Sequence, residues 1–167
     1  SRLEAPAEPI LLTSTTRTPG DWYGIDFTEH SGFSGLNNTR VEYGGKGGRP
    51  MVVVRSRDVT AVSSTFHNAA GVPLVIVPEA VGPFLASAFL ESTPEAPAFG
   101  GNGVQQVTVL ASEQPVLSRS SEWGDAGVPL FIDDDLYVGG DIVPRLALKP
   151  GAHLVFSDTA RLVVGDA

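Results

Sequence analysis

Two five-residue stretches, PMVVV at 50–54 and PLVIV at 73–77, repeat one pattern along the chain. Neither alternates apolar with polar residues, as a half-buried antiparallel strand does. A buried helix would run longer and would not open on proline. Both stretches read as short strands covered on both faces and set at a fixed interval.

The interval recurs. Tyr43, Phe66 and Phe89 follow one another at the same spacing as Pro50 and Pro73, each closing a strand-like piece: TRVEY, AVSSTF and LASAF. In these pieces Thr39, Val41 and Tyr43, then Val62, Ser64 and Phe66, then Leu85, Ser87 and Phe89 alternate toward one side. Turn residues follow: Gly44-Gly45, Asn68, and Ser92 through Pro94. GVPLFI at 127–132 nearly duplicates GVPLVIV at 71–77. The best helical stretch is 77–92, VPEAVGPFLASAFLES, but Gly82-Pro83 breaks it.

A period in the range of about 20–50 residues marks a repeat architecture. One unit of two or three short strands cannot bury its apolar residues alone, but stacked units can. The expected fold is all-β, a right-handed single-stranded parallel β-helix of about seven coils. It spans 1–167 as one domain, with a loop inserted at a corner near 92–103, STPEAPAFGGNG. In its coil-stacking core Tyr43, Phe66 and Phe89 form an aromatic column, and Val52 and Val54 lie against Val75 and Val77. Asn68, just past its strand, is the expected corner asparagine bonding the next coil.

Composition narrows function by exclusion. The net charge is −8, and Lys46 and Lys149 are the only lysines. No basic stripe exists for nucleic acid, and an anionic membrane surface would repel the chain. No apolar run reaches the ~18–20 residues of a membrane span, so no membrane insertion is expected. With no cysteine, disulfides, thiol catalysis and cysteine–metal sites are excluded, though no compartment is thereby assigned.

GDWYGIDF (20–27) followed by LNNTRVEYGG (36–45) is similar to bacterial surface or secreted proteins of the right-handed parallel β-helix class, the pectate-lyase-like solenoids. In that class a tryptophan–glycine strand opens a coil, and a VRIEYGG-like strand follows one turn later. Residues 125–167 resemble a second block, in which a Lys149-Pro150-Gly151 corner leads into the strand HLVF. The resemblance covers most of the chain and implies a fold and an extracellular or cell-surface setting, with little about activity. Family members run on from the closing strand toward another tryptophan strand. Here RLVVGDA ends the chain where SRLEAPAEPILLTSTTRTPGDW would resume it. Two expectations stay open: subunits stacking head to tail through Leu3, Ile10 and Leu12 against Leu162 and Val164, or one piece of a longer multi-repeat chain.

The chemical candidates are sparse. His30, His67 and His153 lack ligand spacing. Asp133-Asp134-Asp135 offers adjacent carboxylates for calcium or a solvated turn, without an EF-hand pattern. Asp21, Asp26, Glu29 and Glu42 could converge as paired carboxylates if coils stack suitably. Arg40, Arg49, Arg55 and Arg57 cluster; Arg55 and Arg57 share one face of an extended strand. They either bind an acidic sugar or pair with Glu42 and Asp58. GGKGG (44–48) lacks the phosphate-loop pattern and reads as a corner. No regular Thr-x-Thr ladder for ice is present. The leading expectation is a non-catalytic extracellular structural module with no cofactor and no metal, whose partner is itself. The alternative is a carbohydrate-binding or lyase-like protein using Arg55 and Arg57 on acidic glycans.

Overall fold

The computed structural model describes residues 8–88, 98–140 and 143–165. Turn 1 holds β1 (Ile10–Leu12), β2 (Ile25–Phe27) and β3 (Gly35–Asn37). Turn 2 holds β4 (Thr39–Glu42), β5 (Val52–Val54) and β6 (Thr60–Val62). Turn 3 holds β7 (Thr65–His67), β8 (Leu74–Ile76) and a helix, α1 (Pro78–Ala88). Turn 4 holds β9 (Phe99–Gly100), β10 (Val107–Val109), β11 (Val116–Leu117) and β12 (Ser121–Trp123). Turn 5 holds β13 (Leu130–Ile132), β14 (Leu136–Val138) and β15 (Leu146–Leu148). Turn 6 holds β16 (Leu154–Phe156) and β17 (Leu162–Val164).

Every pair of these strands is parallel, so the chain is a β-solenoid. One sheet runs its whole length, in the order β16-β13-β10-β8-β5-β2, and its six strands count six turns. The expected seven coils assumed that the interval from Pro50 to Pro73 holds throughout. The steps from Ile25 to its partner Val52, and from Leu74 to its partner Val107, are both longer, so fewer turns use the same chain.

The long sheet has two inward columns. One is Ile25, Val52, Leu74, Val107, Leu130 and Leu154; the other is Phe27, Val54, Ile76, Val109, Ile132 and Phe156. From Val52 to Ile132 these side chains are completely buried. Full burial of each contributes about 1.5–3 kcal/mol. The duplicated GVPL motifs occupy one column: Leu74 and Leu130 flank Val107 on either side.

The register corrects the expected valine pairing by one residue. Val52 meets Leu74 and Val54 meets Ile76, while Val75 lies beside Val53 on the outer face. Val77 falls just past its strand. Aligning Pro50 with Pro73 hid this, because Val52 N–H itself donates to the carbonyl of Pro73. A slip of one residue exchanges the faces of a strand. Here both faces are covered, Val53 being 9% and Val75 5% exposed, so burial alone did not reveal the slip.

The aromatic column is also reassigned. Phe66 pairs with Val41 below and Phe99 above, and the Phe66 and Phe99 rings stack at 5.4 Å. Phe84 of α1 closes on Phe66 at 6.2 Å. Phe99 is thus a core rung, which takes 99–100 out of the expected corner loop; 92–97 and Phe89 lie outside the described residues. Tyr43 instead occupies a corner in the left-handed region, φ 61°. Asn68 (φ 56°) and Gly101 (φ 64°) repeat that corner one and two turns later. Tyr43 N–H donates to the His67 carbonyl, and Asn68 N–H to Gly100. The asparagine that bonds a neighbouring turn through its side chain inside the core is Asn102. It accepts from Ala69 N–H at 2.9 Å and donates to the Phe66 carbonyl at 3.1 Å.

Gly82-Pro83 does not break α1. The helix is sealed into the stack, with Ala80, Val81 and Phe84 fully buried, so packing holds it where propensity would not. It packs on β6 of turn 2 and on β11 and β12 of turn 4. Gly82 is the point of closest approach: a Cβ there would stand 2.2 Å from Ser121 Oγ and 3.0 Å from the Glu122 carbonyl. Gly82→Ala should therefore destabilise the fold, although alanine adds up to about 1 kcal/mol of helix propensity. We expect a net loss of about 1–2 kcal/mol from overpacking in urea unfolding. Gly71→Ala, where a Cβ meets nothing within 4 Å, should stay within about 0.5 kcal/mol of the parent.

Candidate functional site

A shallow depression of about 250 Å³ opens on the outer face of the long sheet at turns 1 and 2. It is lined by Tyr23, Asp26, Arg49, Val53 and Arg55, with Gly24, Ile25 and Pro50. Alternation through GDWYGIDF builds its wall. Trp22 turns toward the body, its Nε1 donating to the Glu42 carbonyl at 2.7 Å, while Tyr23 is 61% exposed. Lys46 Nζ and Arg49 Cζ stand 5.7 and 5.5 Å from the Tyr23 ring centroid. Neither cation forms an ion pair among the described residues, and each contact with an exposed ring is worth about 0.5–1 kcal/mol.

Arg55 forms the far wall and is committed to two carboxylates. Nη1 donates to Asp26 at 2.7 Å, while Nε and Nη2 hold Glu113 at 2.8 and 3.2 Å. The hydrogen bonds from Arg55 keep the Glu113 carboxyl below its ordinary range, against a smaller opposing effect of burial. The same bonds raise the Arg55 guanidinium. Arg57 faces elsewhere. β5 ends at Val54, so the chain is turning and the two arginines do not share a strand face. Arg57 lies 3.6 Å from Glu79 at the start of α1, and Glu79 also accepts from Ser118 Oγ at 2.8 Å. Of the expected partners, Glu42 pairs with Arg40, and Asp58 takes no part in the Arg55 and Arg57 pairs.

The three adjacent aspartates diverge. Asp133 accepts from Ser112, and Asp134 from the N–H of Asp135. Asp135 is bound by Arg161 and by Tyr137 Oη, and the Arg161 bonds hold its carboxyl low. Among the described residues no three histidine or carboxylate groups come together as a metal site. His30, His67 and His153 belong to turns 1, 3 and 6. No helix among the described residues is long and apolar enough to cross a membrane.

A second feature lies at the C-terminal end. Leu162 and Val164 continue the inward columns above Leu136 and Val138, and Leu148 sits above the buried Trp123. Yet Leu148, Leu162 and Val164 are 51%, 40% and 73% exposed. With Val138, Pro144, Arg145 and Leu146 they line a hollow of about 220 Å³. At the opposite end Ile10 and Leu12 stand below Thr39 and Val41, with Ile10 58% exposed. Leu3 lies outside the described residues.

Tyr23, Glu113, Leu146 and Leu148 were not singled out by sequence. The W-Y alternation at 22–23 carried a signal for Tyr23. Nothing local marks Glu113, whose partner Arg55 lies far back along the chain. No family model, no curated protein and no solved structure matches this chain.

The Arg55–Glu113 bond should leave a pH signature. A carboxyl held low in the folded state stabilises above its unfolded pKa, and that stabilisation is lost as pH falls through the folded one. Glu113→Gln should lower the thermal midpoint at pH 7, by no more than the ~1 kcal/mol of a solvent-accessible pair. The gap between variant and parent should begin to close as pH falls past the ordinary glutamate value of about 4.3 and should vanish only below the lower pKa of the folded carboxyl.

Proposed function

We propose that this chain is a non-catalytic structural module on or outside a bacterial cell, a solenoid that lengthens by stacking end to end into a filament or surface array. One observation carries the reading: inward columns run out at the C-terminal end in exposed Leu148, Leu162 and Val164. A cluster of exposed apolar residues beside an unpaired sheet edge is a recurrent mark of an interaction surface. The cellular setting rests on the resemblance of residues 20–45 and 125–167 to surface solenoids. Light scattering and electron microscopy across a concentration series test the assembly. Long particles one solenoid wide are expected, and Val164→Lys should abolish them without lowering the midpoint of unfolding. A strictly monomeric parent at high concentration would end the proposal.

A second reading has its own observation. The Tyr23 depression combines an exposed ring with Lys46 and Arg49, neither of them ion-paired among the described residues, in a chain of net charge −8. It suits an acidic saccharide lying on the ring with its carboxylate toward the cations. Arg57, held at Glu79, is not part of that surface. A glycan array should then lose signal with Tyr23→Ala and with Arg49→Ala but not with Arg57→Ala; equal signal from all three would remove this reading.

A further inference from the structure

We infer that the partner at the solenoid's end is a second copy of this chain, joined in one register: β16 of one copy pairs in parallel with β2 of the next. This rests on the stacking reading above and specifies it. Among the described residues only the long sheet passes through all six turns, so it alone has the same column at both ends.

The backbone phase fixes the register. In each rung the inward residues aim their N–H and C=O groups at the following turn. Ile25 N–H donates to Met51, Phe27 C=O accepts from Arg55, Ile76 C=O from Leu110, and Val107 N–H donates to Pro129. Leu130 N–H donates to His153 and Ile132 C=O accepts from Ser157. The next groups in this series are those of Leu154 and Phe156, which face the open edge of β16. At the other end, the phase that sends Ile25 and Phe27 toward β5 sends Asp26 toward the open edge of β2. Placing Leu154, Val155 and Phe156 against Ile25, Asp26 and Phe27 lets Asp26 N–H donate to Leu154 C=O. Phe156 N–H then donates to Asp26 C=O. A shift of one residue would offer groups already bonded within the sheet.

The side chains agree. Both terminal rungs place an aliphatic residue and then phenylalanine in the inward columns, Ile25 and Phe27 at one end, Leu154 and Phe156 at the other. All four are only partly buried. Around the coil, β17 follows the long-sheet strand and β1 precedes it. With β2 seated on β16, the partner's β1 and the β17 of this copy lie on opposite sides of the long sheet, so this join does not set Ile10 and Leu12 against Leu162 and Val164. The contact is head to tail and does not close on itself, so copies add without limit.

The absence of cysteine makes the test clean. Asp26→Cys combined with Val155→Cys puts two cysteine Cα atoms about 4.8 Å apart across the join, within disulfide reach. Within one molecule five rungs, about 24 Å, separate them. Mild oxidation should give a ladder of covalent multimers on non-reducing gels. Asp26→Cys with Phe131→Cys, one rung deeper, should give none. Multimers in solution without the ladder, or equal ladders from both pairs, would overturn the register while leaving stacking intact. A monomer at every concentration would overturn both. Hydrogen exchange on the unsubstituted chain gives an independent reading. Amides of Asp26, Leu154 and Phe156 should gain at least tenfold protection as concentration rises, and no gain would refute the join.

Discussion

The parallel ladder of the long sheet couples two things that are separable in most sheets. The residues whose side chains fill the core are also those whose backbone groups reach the following turn. A displacement of one residue would therefore break the core columns and misalign a row of hydrogen bonds together, each bond being worth about 0.5–1.5 kcal/mol. Such a ladder tolerates variation in the length of a turn but not in the phase of a rung. The step from Leu74 to Val107 is half as long again as the step from Val52 to Leu74, yet the columns continue unbroken.

The extra chain of turn 3 goes into α1, and the helix changes the cross-section. Below it, β3 and β6 form a two-stranded sheet; above it, β11, β14 and β17 form one sheet and β12 and β15 another. The helix is the adaptor between these arrangements. Glu79, at its first turn, accepts from Ser118 of turn 4 and lies beside Arg57 of turn 2. A carboxylate at that end also suits the helix dipole. The Phe66, Phe84 and Phe99 cluster ties α1 to β7 and β9 on either side of it in sequence.

Much of the architecture was legible in the sequence, because unalternating valine runs at a regular interval leave few other folds. The exact rung was not. Matching prolines aligned Val52 with Val75, whereas Met51, fully buried, takes up the extra residue. Tyr43 and Phe66 share an interval but not a role, since a left-handed corner accepts Tyr43 at φ 61° as it accepts Asn68. Gly82-Pro83 carried the signature of a break, and only the neighbouring β12 backbone explains why glycine stands within a helix. For the sites, the cations of the Tyr23 depression were visible as a cluster. Their division between Tyr23, Glu113 and Glu79 depended on turns that close between distant parts of the chain.

Arg55 has a consequence for how such a stack comes apart. Solenoids lose structure from their ends, one repeat after another, when each unit touches only its neighbours. Arg55 belongs to turn 2 but grips Asp26 of turn 1 and Glu113 of turn 4 at once. That clasp bypasses turn 3, so opening turn 1 or turn 4 also costs bonds made by turn 2. Beyond Glu113 no bond of comparable span is present among the described residues. The upper levels are left to peel singly, which makes the C-terminal end the weak one.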